Sequence, residues 1–263
     1  MAINNWKNFL MPYEQAVDEL KVKLRSIRKE YRRKNEYSPI EFVTGRVKEV
    51  SSMLEKANKF GIPIDRIGYE LEDIAGIRIM CQFVDDIDTV VELLRGRKDM
   101  QILYEKDYVR NVKESGYRSY HMIIKYPLNM AEGPVEILAE FQIRTLAMNF
   151  WATIEHSLNY KYKQHIPENL KEKLKRSADA AFRLDEEMLE IKDEIKDAQK
   201  LFEVKSHLIT SIMNSLLTLI SLGKNAEASR YEKTLSKLIE EGEVWELNSL
   251  LFSVKREIEK YKD

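Results

Sequence analysis

Val17, Leu20, Leu24, Ile27 and Tyr31 recur at alternating steps of three and four, which predicts an amphipathic helix that Ser38-Pro39 would break. Val47, Val50, Leu54 and Ala57 repeat that spacing after Thr44-Gly45 and predict a second helix, ended by Gly61-Ile62-Pro63. The period then changes. Over residues 74–83, Ile77, Ile79 and Cys81 alternate with Arg78 and Met80, as a strand requires. Asp85-Asp86 caps a helix carrying Ile87, Val90, Val91 and Leu94, and further strands are expected at 101–108, 119–126 and 135–144. In the last of these, Val135, Ile137, Ala139, Phe141 and Ile143 share one face. Glu136, Leu138, Glu140, Gln142 and Arg144 take the other, so Glu140, Gln142 and Arg144 project together.

From Leu146 the pattern is helical almost to the end. Leu174, Ala181, Met188, Ile195 and Phe202 recur every seven residues, with Leu184, Ile191 and Ala198 in the second seam, a coiled-coil-like stripe that needs a partner surface. Gly223 and Gly242 divide the rest into helices at about 206–222, 226–241 and 243–261. The class expected is α+β, a small mixed sheet flanked by helices, with long C-terminal helices and an extra helical tail. The division expected is 1–205 and 206–263.

Composition narrows the function. A net charge of −1 argues against a dedicated nucleic-acid binder. It hides an asymmetry: residues 1–60 carry 13 Lys/Arg against 8 Asp/Glu, so an anion is drawn to the N-terminal helices. The lone cysteine, Cys81, lies in an apolar run; it excludes a disulfide framework and implies a cytoplasmic location. Trp6, Lys7 and Asn8 interrupt any signal-like apolar stretch, so no leader is expected. Leu208–Leu222 is too short and too rich in Ser, Thr and Asn to span a membrane, and reads as a buried helix.

The chemistry concentrates in four stretches. Glu114 to His121 combines a glycine, a stacking aromatic, a cation and an imidazole, while Asp73 and Glu140 place carboxylates at two other strands. Lys48, Ser52, Lys56 and Lys59 follow helical spacing, with Arg46 at their head. Like charges in one row repel unless an anion lies along them, and each close charge pair contributes roughly 4 kcal/mol at an effective dielectric near 20. Two acids, a cation row and a stacking ring suit a Mg-nucleotide and a second base, hence phosphoryl chemistry on nucleotides.

Taken together, T-G-R-V-K (44–48), D-I-A-G-I-R-I-M-C-Q-F (73–83), K-E-S-G-Y-R-S-Y-H (113–121) and the run from Glu140 to Tyr162 resemble the synthetase domain of the RelA/SpoT proteins, most closely the small RelQ-type alarmone synthetases. The resemblance covers residues 1 to about 205 and implies a nucleotidyltransferase-like domain. The activity it implies is transfer of the β,γ-diphosphate of ATP to the 3′-hydroxyl of GDP or GTP, or of GMP. Asp73 and Glu140 would hold Mg²⁺, with Glu140 serving also as base. Arg46 and Arg78 would sandwich adenine, and Lys48, Ser52, Lys56 and Lys59 would hold the ATP phosphates. Tyr117 would stack on guanine, and Lys113, Ser115, His121, Gln142 and Asn149 would contact the acceptor nucleotide. Lys21, Arg25, Arg28, Phe42 and Thr44 resemble an allosteric alarmone site between subunits of a homotetramer. Single-stranded RNA is a further partner of some relatives, and the basic first helix would serve it.

Two features depart from the family. Bifunctional relatives carry a charged motif before the acceptor loop, whereas this chain has Tyr104-Glu105-Lys106-Asp107, which leaves the acceptor open. The hydrolase of the family needs a His-Asp motif, and none of His121, His156, His165 and His207 precedes an aspartate, so synthesis alone is expected. A binding-only regulator and an inactive helical scaffold remain as other classes. An intact Asp73, Arg78, Tyr117 and Glu140 would be of no use to a scaffold.

Overall fold

The computed structural model describes residues 5–161 and 167–261; His165 therefore lies outside the described residues. Two compact units divide the chain, Met1–Leu189 and Glu190–Asp263.

Unit 1 is built on five strands, β1 (Phe42–Val47), β2 (Ala75–Cys81), β3 (Gln101–Asp107), β4 (Tyr120–Met130) and β5 (Gly133–Thr145). Their order is β1-β2-β5-β4-β3, with β2 and β5 parallel and the other pairs antiparallel, so the sheet is mixed as expected. The helices are α1 (Trp6–Arg33), α2 (Val50–Phe60), a short α3 (Ile67–Glu70), α4 (Val84–Arg95), α5 (Leu146–Lys161) and the start of α6 (Glu168–Ser221).

Strand periodicity gives the sheet two different faces. Ile77, Ile79, Met122, Ile124, Ala139, Phe141 and Ile143 are all buried in the main core, together with Val17, Leu20 and Leu24 of α1 and Val90 and Leu94 of α4. Asp86 accepts from the Phe83 backbone N–H at 3.0 Å, which satisfies a free donor at the start of α4. The opposite face carries the polar set and is left open to a cleft.

The structure corrects several readings. Phe42–Val47 is an edge strand, not a loop leading into a helix, and α2 begins only at Val50. Gly45 makes this possible, since a Cβ there would lie 2.8 Å from Val17 Cγ1 of α1 and 2.9 Å from Ile77 Cδ1. Lys48 therefore precedes α2 rather than sharing its face. Within α2 the buried positions are Met53 and Ala57, while Leu54 is exposed. Val135, near the start of β5, is exposed as well. The helix after Leu146 is interrupted before α6, whose first turn is closed by bonds from Leu170 N and Lys171 N to Pro167 O at 2.9 and 3.2 Å.

Thr145 joins β5 to α5. Its hydroxyl donates to Asp185 Oδ2 at 2.6 Å and accepts from Met148 N at 3.1 Å. Burial pushes the Asp185 carboxyl up to about 6, against the Thr145 bond that lowers it. The native state then binds the extra proton between about pH 4 and 6, so stability falls as pH rises through that window. Asp185→Asn is expected to stabilise the protein by roughly 1–3 kcal/mol at pH 8 and to have little effect at pH 4, as denaturant melts at the two pH values would show.

Unit 2 contains the remainder of α6 with α7 (Asn225–Glu241) and α8 (Val244–Glu259). No break falls near residue 205, because Lys205-Ser206 offers neither glycine nor proline and α6 continues to Ser221. Ile212, Leu216, Leu219, Ala228, Leu235, Leu247, Leu250, Val254 and Ile258 form its own core. Only that side of 208–222 is buried; Met213, Leu217 and Ile220 are exposed. The heptad stripe is partnered at its start, where Leu174 and Ala181 pack with Trp151, Ala178 and Tyr117. Leu184, Met188, Ile191, Ile195 and Phe202 are exposed. No helix among the described residues is long and apolar enough to cross a membrane.

Candidate active site

The register of the sheet sets the cleft floor. One cross-sheet row runs Tyr104, Ile123, Glu140, Gly76, Arg46 from β3 to β1, and the next runs Lys106, His121, Gln142, Arg78, Thr44. Gly76 places no side chain between Glu140 and Arg46. A cleft of about 230 Å³ opens there, lined by Thr44, Gly45, Arg46, Asp73, Gly76, Arg78, Glu140 and Gln142. Both predicted carboxylates thus face one cavity.

Asp73 stands in the turn before β2, with Lys48 Nζ 2.8 Å from Oδ2 and Lys56 Nζ 2.9 Å from Oδ1. Burial would raise its carboxyl, but the bonds from Lys48 and Lys56 outweigh burial and hold it below its ordinary value. Ser52 lies on α2 beside Lys56, whereas Lys59 is exposed a turn beyond and reaches only towards the Phe60 ring, at 5.9 Å. Arg78 donates to Gln142 Oε1 at 3.4 Å. Burial, with the charges of Arg144 and Arg46 beside it, lowers its pKa, the mark of a cation cluster short of anions.

Glu140 is fixed from two sides. His121 Nδ1 lies 2.7 Å from Oε1, and Gln142 Nε2 donates to Oε2 at 2.7 Å. Burial pushes this carboxyl up, and the His121 and Gln142 bonds bring it below its ordinary range despite the charge of Asp73. The other ring nitrogen of His121 lies 2.8 Å from the Tyr117 hydroxyl, which itself accepts from Arg144 Nη2. Since Arg144 can only donate, the network runs Arg144 to Tyr117, Tyr117 O–H to Nε2, and Nδ1–H to Glu140. Gln142 Oε1 also accepts from Arg144 at 2.8 Å, so Gln142 braces the site. The alternation along β5 predicts only that Arg144 projects beside Glu140; its place in the relay follows from cross-strand register.

The loop before β4 is held by Gly116 at φ +88°, where a Cβ would come within 2.6 Å of Ala178 Cβ on α6. Lys113 Nζ stands 4.8 Å from the Tyr117 ring centroid and 4.3 Å from that of Tyr108. Burial lowers the pKa of Lys113. Ser115 is exposed beside Tyr117, and Asn149 Oδ1 on α5 is buried with no hydrogen-bond partner among the described residues. Gly116→Ala is expected to cost about 1–3 kcal/mol of stability and to raise the acceptor KM more than the ATP KM. Thermal melts and steady-state kinetics check it.

At the α1–β1 edge, Arg25 Nη2 donates to Val43 O at 3.1 Å and Arg28 pairs with Glu41 at 2.7 Å. Lys21 pairs with Asp18 at 2.7 Å, and Phe42 and Thr44 are exposed nearby on β1. The five residues of the expected allosteric set are therefore gathered on one edge of the sheet. Cys81 is buried and its thiol is pushed up by burial, which leaves it a packing residue.

A family model described as a region found in RelA/SpoT proteins matches residues 45–165. The chain is 58% identical over 205 residues to the Bacillus subtilis GTP pyrophosphokinase YjbM, covering 78% of this chain and 97% of that protein. It is 40% identical to the B. subtilis GTP pyrophosphokinase YwaC, covering 74% and 93%. The fold is similar to the crystal structure of B. subtilis small alarmone synthetase 1 bound to its product pppGpp, at TM-score 0.70 and 59% identity over 72% of this chain and 97% of that one. The same enzyme bound to AMPCPP matches at TM-score 0.65 and 55% identity, over 73% and 98%.

Proposed function

Because the chain belongs to the RelA/SpoT family, among its small alarmone synthetases, we propose that it is a GTP pyrophosphokinase that moves the β,γ-diphosphate of ATP to the ribose 3′-hydroxyl of GTP, GDP or GMP. The observation that carries the reading is the shared cleft of Asp73 and Glu140, with Arg46 and Arg78 on its walls.

The residues divide the work. Arg46 and Arg78 flank adenine, and Lys48, Ser52, Lys56 and Lys59 take the ATP phosphates. Guanine stacks on Tyr117, with Lys113 moving off that ring. Asn149 Oδ1, buried and unpartnered, accepts from the base. Lys113 and Ser115 bind the acceptor alongside His121, while Gln142 keeps Glu140 and Arg78 in place. The acceptor 3′-oxygen attacks the β-phosphorus, the bond from that phosphorus to the α-phosphate oxygen breaks, AMP leaves, and the hydroxyl proton passes to Glu140. A carboxylate held below its usual range is a weak base, so positioning of the two nucleotides contributes more than proton removal.

The donor set fits Mg²⁺: two ionised carboxylates on one cleft, lysines beside Asp73 that a phosphate can draw away, and room left for phosphate oxygens. Mg²⁺ bound by Asp73 and Glu140 would neutralise charge on the transferred diphosphate. Product alarmone binds at the α1–β1 edge between subunits of a homotetramer, and the absence of a His-Asp motif leaves synthesis without hydrolysis. Lys21, Arg25 and Arg28 already meet acceptors of their own chain, which leaves less cationic surface for RNA. Location in the cytoplasm follows from the nucleotide pools that such a reaction needs. Residues 206–263 supply a helical appendage that alters assembly or sensitivity. Incubating the protein with Mg-ATP and each of GMP, GDP and GTP, and identifying the nucleotides formed, tests the assignment and ranks the acceptors.

A further inference from the structure

Glu72 and Tyr104 have no part in the roles above, yet they tie β3 to the turn that enters β2. Tyr104 stands on β3 in the same cross-sheet row as Glu140, and its hydroxyl donates to Glu72 Oε2. Lys106, one row on, lies against it, with Nζ 3.4 Å from the hydroxyl and 4.7 Å from the ring centroid. Burial and the Glu72 carboxylate push the phenol up, so it remains a donor at neutral pH. Glu72 is the residue immediately before Asp73, in the turn that enters β2.

The pair matters because Lys48 and Lys56 have two claims on them. Here both hold Asp73; with nucleotide present, the same ammonium groups face phosphates. A lysine drawn to a phosphate restrains Asp73 less. Among the described residues, the side-chain bond that then still fixes the 72–73 turn is the one from Tyr104 to Glu72. We propose that Glu72 and Tyr104 form a positioning pair that keeps the Asp73 carboxylate aimed into the cleft while nucleotide phosphates engage Lys48 and Lys56. The proposal rests on the assignment of Asp73 as a Mg²⁺ ligand. It gives a purpose to the tyrosine that opens the Tyr104-Glu105-Lys106-Asp107 stretch: a neutral donor grips Glu72, with Lys106 held against its ring.

Calorimetric titration of the full chain with a non-hydrolysable ATP analogue, over a series of Mg²⁺ concentrations, tests it. Tyr104→Phe and Glu72→Ala are each expected to raise the Mg²⁺ needed for half-maximal tightening about tenfold, the effect of one hydrogen bond to a charged group. Affinity without Mg²⁺ should be unchanged, and melting temperature should move by no more than about 4 °C. Glu72→Gln, whose carbonyl still accepts from Tyr104, should stay near the parent, and the double variant should be no worse than either single one. A Mg²⁺ dependence in Tyr104→Phe equal to the parent's would overturn the positioning role alone. Analogue binding that ignores Mg²⁺ in the parent itself would overturn the assignment of Asp73 beneath it.

Discussion

Glu140→Gln is expected to lower turnover by roughly 10²–10⁴-fold while the protein stays folded and still binds both nucleotides. In the proposed reaction this carboxylate takes the proton of the 3′-hydroxyl, and among the described residues no other carboxylate joins Asp73 and Glu140 on the cleft wall. Glutamine keeps the shape. Its carbonyl can still accept from His121 Nδ1–H, so that side of the network survives while the base is lost; Gln142 stays in place, because its Oε1 accepts from Arg144 and Arg78. The parent should keep its activity in mild acid as far as Glu140 is concerned. The group is held below its ordinary value of 4.5, so the ionised form persists as pH falls and protonation begins only below that point. Product formation followed by nucleotide chromatography, with melting temperature measured alongside, checks both statements.

Asp73→Asn should act on a different quantity. Removing this charge would take away the proposed Mg²⁺ ligand, which sits between two lysines, and kcat/KM for ATP is expected to fall roughly 10²–10³-fold. Lys48 and Lys56 would then lack their carboxylate and repel one another, lowering stability by about 1–3 kcal/mol. Pyrophosphate should restore part of that loss, since it offers the freed lysines an anion. The Glu140 variant should keep the coupling between Mg²⁺ and ATP-analogue binding, and the Asp73 variant should lose it. Calorimetry on the two proteins side by side separates metal binding from proton removal.

What could be read from the sequence follows from how local each signal is. Gly223 and Gly242 marked the last two helices to within a few residues, though not the start of the one before them, and the alternation from Val135 to Arg144 placed Glu140 and Gln142 on the polar face. The strand Phe42–Val47 was missed because Gly45 reads as a turn and Val47, Val50 and Ala57 fit a helical period. Only the pairing with β2 and the approach of Val17 show that the glycine is there to let α1 close in. Lys48 was placed on a helix for the same reason, yet its partner Asp73 puts it in the site all the same. The relay from Arg144 through Tyr117 and His121 to Glu140 depends on which residues stand opposite across β4 and β5, and so does the pairing of Glu72 with Tyr104 across the sheet. No spacing along one segment encodes either. The break before α6 did have a local signal, Pro167, which the strong heptad pattern around it concealed.

The most direct test follows the phosphorus. Full-length protein incubated with Mg²⁺, GTP and ATP labelled at the β-phosphate should release unlabelled AMP and move the label to a guanosine nucleotide bearing a 3′-diphosphate, and neither Asp73→Asn nor Glu140→Gln should do so at a comparable rate. Release of ADP in place of AMP, or transfer that survives loss of both carboxylates, would contradict the account.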